Sequence, residues 1–361
     1  MRWGLAWMAV TVLHFLVLFG LFLENCRSAK AAFRRQMSQV VDHLPQSKFE
    51  IFFTGCYRPN SPMRHQFEYL PVWLLAKLLG LLPRPLARAC CISIGLVTYA
   101  LYPRLRVVGM RNLEIAFPQK SKKEKRKILR ELYKSLGRQL AEFCLFPRYT
   151  LQNASKVAVY DGFENFAEAQ ARGKGVLFLT GHFGGWEVGS FVHSLHGHPL
   201  NIVIRPLDNP HLNAMVDHYR TLHGNQTFPK QDFARGLLSS LRRAETVGIL
   251  MDTNMTPPQG AFVDFFGVPA YTATGVARVA LHTDAAVVPA LTIWDKELGK
   301  YRIRFDPAIK LVRTGDKEAD AVKNTAAFSK VIEGYATRYP EQWLWVHRRW
   351  KTRPPGEPSL Y

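Results

Sequence analysis

The chain is poor in cysteine and acid, and it lacks the common catalytic signatures. Its five cysteines (Cys26, Cys56, Cys90, Cys91, Cys144) are odd in number and scattered, with no Cys-x-x-Cys pair. This argues against a disulfide framework or a cysteine-held zinc and points to a reducing compartment. There is no Gly-x-Ser-x-Gly elbow, no Gly-x4-Gly-Lys-[Ser/Thr] loop and no Gly-x-Gly-x-x-Gly turn. Serine-hydrolase, P-loop and dinucleotide-binding readings therefore have no motif to rest on. Acid is scarce: 28 Asp and Glu face 48 Lys and Arg, a formal charge of +20 over 361 residues. Such a surface suits an anionic partner, whether nucleic acid, anionic lipid, a phosphorylated substrate or an acidic protein. Disorder is excluded, since 47% of the residues are hydrophobic, enough for the core of one large α/β domain, or of a domain plus a smaller helical piece.

What the sequence does have begins with a long apolar run. Residues 3–23 carry no formal charge, His14 included. About 20 such residues cross a bilayer core as a helix, and the run is too long for the apolar centre of a cleaved signal peptide. Arg27, Lys30, Arg34 and Arg35 follow it, against Arg2 before it, which places the rest of the chain in the cytoplasm. A second apolar region, 70–102, is interrupted by Gly80, Pro83, Arg84, Pro85, Arg88 and Gly95. It reads as helices lying at the membrane interface, with the arginines reaching head groups. Four regions result: an anchor over 1–26, a linker over 27–69, an interfacial and basic helical region over 70–150, and an α/β catalytic domain over 151–361.

Ser121-Lys122-Lys123-Glu124 is a capping box. The helix it opens has an apolar face (Ile128, Leu129, Leu132, Tyr133, Leu136, Leu140, Phe143) and a basic one (Lys122, Lys123, Lys125, Arg126, Lys127, Arg130, Lys134, Arg138). Beside a membrane anchor, the basic face suits anionic lipid or an acidic carrier protein. Beyond Pro147 the pattern alternates. Strands are expected over 157–160, 176–180, 202–204, 247–251, 286–293 and 301–305. Helices are expected over 164–172, 188–195, 211–222, 234–244, 275–282 and 319–338. That alternation predicts an α/β fold, a mixed and largely parallel sheet covered by helices.

The chemistry concentrates where the apolar strand 176–180 runs into Gly181-His182-Phe183-Gly184-Gly185-Trp186-Glu187. Sites of open α/β sheets form at the carboxyl ends of strands. His182 supplies a base. Glu187, five residues on, would stand ~140° around a continuous helix at ~100° per residue. The pair can meet only if the glycines turn the chain, so that Glu187 accepts the second imidazole N–H and stabilises the imidazolium. The N–H groups of Gly184 and Gly185 would then approach a substrate. His193, His196 and His198 straddle a helix end without a carboxylate partner and read as an exposed turn rather than a metal site.

With these residues in view, the chain resembles the membrane-bound lipid A biosynthesis acyltransferases, the late lauroyl and myristoyl transferases, a branch of the lysophospholipid acyltransferase-like superfamily. The resemblance runs from about Leu70 to the end. It rests on Arg111-Asn112-Leu113 with Phe117-Pro118, Gly173-Lys174-Gly175-Val176 leading into the His182 turn, and Arg205-Pro206. Further blocks are Phe262-Val263-Asp264-Phe265-Phe266-Gly267, Thr272-Ala273-Thr274-Gly275, Val288-Pro289 and His347-Arg348-Arg349-Trp350-Lys351-Thr352-Arg353-Pro354. Two departures bear on acceptor or chain-length choice: Gly185 stands where the family has Asn, and Asp252-Thr253 where it has Gln after the acid. The apolar N-terminal run also starts further upstream than is usual, with a long linker behind it.

The resemblance implies a His-x4-Glu catalytic pair at His182 and Glu187. It implies transfer of a fatty acyl group from an acyl-carrier-protein thioester to a hydroxyl of a phosphorylated glucosamine lipid, without metal, cofactor or covalent intermediate. Gly184 and Gly185 become candidates to stabilise the oxyanion. Arg205 is a candidate to hold a phosphate, and Asp252 to position the acceptor. The expected partners are acyl carrier protein, anionic membrane lipid and the phosphorylated glycolipid, with no nucleic acid, at the bacterial inner membrane with the catalytic domain in the cytoplasm. Trp343, Trp345 and Trp350, among basic residues, suit either the interface or, for one or two of them, the core beside a solvated basic tail. Rival readings are the same fold acting on another glycolipid or a lysophospholipid, thioester hydrolysis, and a non-catalytic basic membrane protein.

Overall fold

A computed structural model describes residues 62–229 and 233–361. The expected span over 3–23 and the linker up to residue 61 lie outside them, as do Cys26 and Cys56. The described residues divide into two compact units, 62–78 with 207–216, and 79–206 with the remainder from 217 on.

In the first unit, helix α1 begins at Pro62 and runs to Leu81, so helix starts within what reads as linker. Met63, Phe67, Leu70, Leu74 and Leu78, at helical spacing, are exposed. Asn209 binds this helix by donating its amide to the His65 carbonyl at 2.9 Å and to Glu68 Oε2 at 3.1 Å.

The second unit holds α2 (Arg84–Leu101), α3 (Pro103–Ala116) and α4 (Lys122–Leu145), followed by the short α5 (Leu151–Ala154). The capping box forms as read: Ser121 Oγ accepts from the Glu124 N–H at 3.2 Å, and Glu124 Oε2 from the Ser121 N–H at 2.8 Å. Lys122, Lys123, Arg126, Lys127 and Arg130 are exposed, but Lys125 is buried. No single described helix is long and apolar enough to cross a membrane; α2 and α3 reach that test only together and turn 87° between them.

The strands are β1 (Ala158–Asp161), β2 (Val176–Thr180), β3 (Leu200–Ile204), β4 (Gln226–Pro229), β5 (Thr246–Leu250), β6 (Gly260–Phe265), β7 (Val268–Ala273), β8 (Ala286–Asp295) and β9 (Lys300–Phe305). The intervening helices are α6 (Phe163–Ala171), α7 (Trp186–Leu195), α8 (Pro210–Thr221), α9 (Phe233–Arg242), α10 (Gly275–Thr283) and α11 (Lys317–Arg338). Seven strands form one sheet in the order β1-β9-β8-β2-β5-β3-β4, parallel except where β9 folds back on β8. The α/β class with a mixed, mostly parallel sheet is therefore present. Strand β2, between β8 and β5, is buried at four of its five positions. Helices on both faces of a parallel sheet demand such an apolar run. The sequence pattern misses the edge strand β4 and the hairpin β6–β7. Gln226-Thr227-Phe228-Pro229 is too short and mixed to signal a strand. In the hairpin, Phe266 and Gly267 turn the chain with positive φ at both residues, the backbone of a type I′ turn.

Of the two placements open to the tryptophans, burial selects the core, and for all three. Trp343, Trp345, Trp350 and the intervening Arg349 are among the largest fully buried side chains. Arg349 is accommodated because it donates to Thr272 Oγ1 at 2.5 Å and to the Tyr271 carbonyl at 3.2 Å, with Phe265 against its guanidinium. Burial lowers its pKa to about 10.

Candidate active site

Strands β2 and β5 run side by side and parallel, with Thr180 opposite Leu250. Two residues past the end of each stand His182 and Asp252, so the sheet register itself brings them together. Asp252 Oδ1 accepts from His182 Nδ1 at 2.8 Å, and Oδ2 accepts from the His182 backbone N–H at 2.7 Å. A third donor comes from far along the chain: Trp343 Nε1 reaches Oδ2 at 2.9 Å. The Leu344 N–H also donates to the His182 carbonyl at 3.1 Å. Both partners are buried. Burial pushes the Asp252 carboxyl up, but the adjacent imidazole, its two hydrogen bonds and the indole N–H outweigh this and hold it down at about 2.

A carboxylate can only accept, so Nδ1 carries the proton and the lone pair lies on Nε2. That nitrogen has no hydrogen-bond partner among the described residues and is not sealed from solvent. Trp186 stands edge-on to the imidazole, ring centroids 5.3 Å apart. The outcome is an oriented base with its reactive nitrogen available.

Glu187 does not make the contact expected of it. It sits in the first turn of α7, buried, and both carboxylate oxygens are taken by Arg220 from the last turn of α8: Nε donates to Oε2 at 2.9 Å and Nη2 to Oε1. The imidazole is oriented by Asp252, a residue read from sequence as an acceptor-positioning group. Sequence proximity misled because Asp252 is 70 residues from His182 in the chain yet on the neighbouring strand.

The backbone donors of the glycine bend are also spent. Gly184 donates its N–H to the Gln342 carbonyl at 2.8 Å, and Gly185 to the Thr292 carbonyl at 2.9 Å. The expected presentation of these groups to an oxyanion is corrected accordingly; the glycines are there for close approach. Gly184 has φ of +56°, and a Cβ on it would overlap the Thr292 carbonyl oxygen. At Gly185 a Cβ would lie 2.5 Å from Tyr301 Cε1, so the tyrosine ring fills the space that a larger side chain there would need. Arg205 stands exposed beyond the end of β3, two strands along the sheet from β2.

The three neighbouring histidines stay together at the end of α7, with the His193 and His198 rings stacked 5.0 Å apart. His193 is buried among Phe166, Phe178 and Phe305, with its Nδ1 3.0 Å from the Tyr160 hydroxyl. Desolvation, reinforced by His198 and His196, pulls its pKa down to about 3. Its place is therefore an aromatic core rather than an exposed turn. Among the described residues no three His, Cys, Asp or Glu side chains converge for a metal.

Sequence reasoning missed Trp343 and Arg220. An indole amid basic residues carries no signal for a carboxylate partner, and Arg220 lies in an unremarkable helix end.

Residues 61–352 match the family model for bacterial lipid A biosynthesis acyltransferase. The chain is 29% identical over 313 residues to the lipid A biosynthesis palmitoleoyltransferase of Escherichia coli, covering 84% of this chain and 99% of that protein. It is 28% identical over 295 residues to the lauroyltransferase of the same organism, covering 80% and 92%. To the myristoyltransferase it is 23% identical over 255 residues, covering 69% and 76%. A match spanning most of the chain places the protein in the bacterial lipid A biosynthesis acyltransferase family.

Proposed function

We propose that this acyltransferase moves a fatty acyl chain from an acyl-carrier-protein thioester to a hydroxyl of a phosphorylated glucosamine lipid, with His182 as general base. One observation carries the reading: the imidazole is locked by Asp252 through Nδ1, and its Nε2 is left for a substrate proton.

In the proposed reaction Nε2 takes the hydroxyl proton as the oxygen attacks the thioester carbonyl. The imidazolium is stabilised by the ionised Asp252 beside it. The tetrahedral oxyanion collapses, the carbon–sulfur bond breaks, and the departing thiolate takes the proton back from Nε2. Oxyanion stabilisation falls to the first-turn N–H groups of α7, Trp186 to Val188, which helix geometry leaves without intrahelical carbonyls. Glu187 enters through Arg220, fixing that first turn beside the reacting atoms, rather than through the imidazole. Two of the described cysteines are unsuited to a covalent acyl-enzyme. Burial pushes the Cys144 thiol up to about 12 and the Cys91 thiol higher still, and the nucleophile in such chemistry is the thiolate.

The basic face of α4 suits both an acidic carrier protein and an anionic leaflet. The exposed apolar stripe of α1 and the uncharged run 3–23 support work at the membrane, with the catalytic domain on the cytoplasmic side. The test is the purified full chain assayed with acyl carrier protein and coenzyme A thioesters, with the acceptor's mass gain resolved by mass spectrometry. Acylated glucosamine lipid is the expected product. Free fatty acid with no gain on any acceptor would assign the site to hydrolysis instead.

A further inference from the structure

A second concentration of buried charge lies where α2, α4, β8 and β9 meet. Arg84 and Arg88 stand one turn apart at the start of α2, and Arg138 and Glu142 one turn apart in α4. Glu142 is fully buried. It receives Arg84 Nε at 3.1 Å, Arg88 Nε at 2.6 Å and the Tyr149 hydroxyl. The Arg88 and Arg138 guanidiniums both lie over Trp294, 4.6 Å and 5.1 Å from its ring centroid. Arg84 and Arg88 thus share one carboxylate, and a third cation, Arg138, stands beside them over the same indole. The next acids near Arg138, Glu131 and Glu341, are themselves paired with Lys134 at 2.6 Å and Lys296 at 3.3 Å.

Several donors here are unused. Arg84 Nη2 and Arg138 Nε are buried without a hydrogen-bond partner. The Tyr301 side chain is fully buried and its hydroxyl is also unpartnered. That hydroxyl interacts electrostatically with Glu142, Arg138, Arg88 and Arg84 together, which puts it in the middle of the group. Water would satisfy the donors but not the surplus positive charge, which is costly to bury unpaired. An oxyanion satisfies both, and guanidiniums are suited to hold one. The arginines keep about a fifth of their side-chain surface, 21% for Arg84 and 17% for Arg88, so the group is reached from outside. On either side of Arg84 stand Leu81, 76% exposed, and Leu86, 49% exposed. Apolar side chains beside an anion cradle fit an amphiphile better than a free ion.

We propose that Arg84, Arg88, Arg138 and Tyr301 form a binding site for the phosphate of a membrane lipid, separate from the His182–Asp252 centre. The site adjoins that centre through two side chains. The Tyr301 ring fills the space against Gly185. Trp294 exchanges both backbone hydrogen bonds with the Gln342 side chain, at 2.7 Å and 3.0 Å, while the Gln342 carbonyl accepts from Gly184. A lipid held here would therefore brace the glycine bend. The assignment does not depend on the acyl-transfer reading.

The test is calorimetric titration of the full chain, in nonionic detergent, with dihexanoyl phosphatidic acid, with inorganic phosphate and with dihexanoylglycerol. Saturable binding of the phosphatidic acid is expected, with inorganic phosphate at least 10-fold weaker and the uncharged diglyceride not bound. Arg138→Gln should weaken the phosphatidic acid by about 10-fold or more, the scale of one charge-assisted hydrogen bond, and Tyr301→Phe by several-fold. Thermal melting reports whether each variant is folded. If Arg138→Gln does not fold, Tyr301→Phe, which keeps the ring against Gly185, decides alone. Unchanged affinity in the folded variants, or equal binding of the diglyceride, overturns the site. Inorganic phosphate binding as tightly as the lipid overturns the lipid assignment.

Discussion

Asp252 and Glu187 are both buried carboxylates at the edge of the same sheet, and their surroundings give them different work. Asp252 faces one titratable ring and two fixed N–H donors. Its charge is held by the adjacent imidazole and by fixed N–H donors, and any proton movement at His182 is felt there. Glu187 faces a guanidinium that stays charged, clamped through both oxygens, so its charge is cancelled before any substrate arrives. The lesson is that the partner decides which acid can take part in proton transfer. Spacing within the motif does not.

The comparison can be broken most directly at the imidazole. His182→Ala should cut acyl transfer by roughly 10²–10⁴-fold with the melting temperature little changed, the range for a lost general base. Asp252→Asn should follow with a loss on the order of 10²-fold in kcat, because an amide can hold the wrong tautomer. If Asp252→Asn retains full kcat, the assignment of Asp252 as orienting partner fails.

Glu187→Gln should show the opposite balance. Leaving Arg220 buried without its counter-charge costs about 3–5 kcal/mol, read as a fall in the urea midpoint larger than any seen for Asp252→Asn. A Glu187→Gln protein of unchanged stability would show that the ion pair carries no structural weight.

Acid titration sharpens the contrast further. The folded pKa of Asp252, about 2, lies below the ~3.9 of an unfolded aspartate. Its contribution is therefore complete above about pH 4 and is lost as pH falls towards 2. His193 acts earlier. Its folded value of about 3 lies below the ~6.5 of an unfolded histidine, so the unfolded chain binds the extra proton first. Stability should fall by about 1.4 kcal/mol per pH unit as pH drops below 6, one proton's worth of linkage. His193→Gln should flatten that slope in urea titrations at pH 6, 5 and 4, while Asp252→Asn should not.

The smallest effect belongs to the glycine bend. Gly185→Asn should destabilise by about 1–3 kcal/mol through overpacking on Tyr301. In a double-mutant cycle with Tyr301→Ala the cost should shrink, because the colliding ring is gone. Strict additivity would show that the two positions do not share space.

Much of this was legible in the residues. The run Val176–Thr180 followed by Gly-His-Phe-Gly-Gly placed a strand and a turn correctly, with His182 at the strand end, since an apolar run and glycine punctuation are local signals. Asp252 was legible as a strand-end acid, but its partner was not. Neighbours in a parallel sheet are set by strand order, and β2 lies beside β5 only because the sheet runs β8-β2-β5-β3. Trp343, Trp345 and Trp350 lie among basic residues like interface anchors. They are buried because Arg349 finds its acceptors inside, a compensation that composition does not reveal. Lys125 and Arg138 share the basic stripe of α4 with solvated neighbours, yet one is buried and the other lies over Trp294. Helical periodicity states which way a side chain leaves the helix; it cannot state what packs there.

The ladder between β2 and β5, with Thr180 opposite Leu250, works as a timing mark for the whole enzyme. Adding or deleting a residue inside either strand would put the histidine and its aspartate out of phase, because each step along a strand flips the side chain to the opposite face. Natural variation in length should therefore collect in the connections and spare these two strands, leaving the distance that the chain travels between them free to drift.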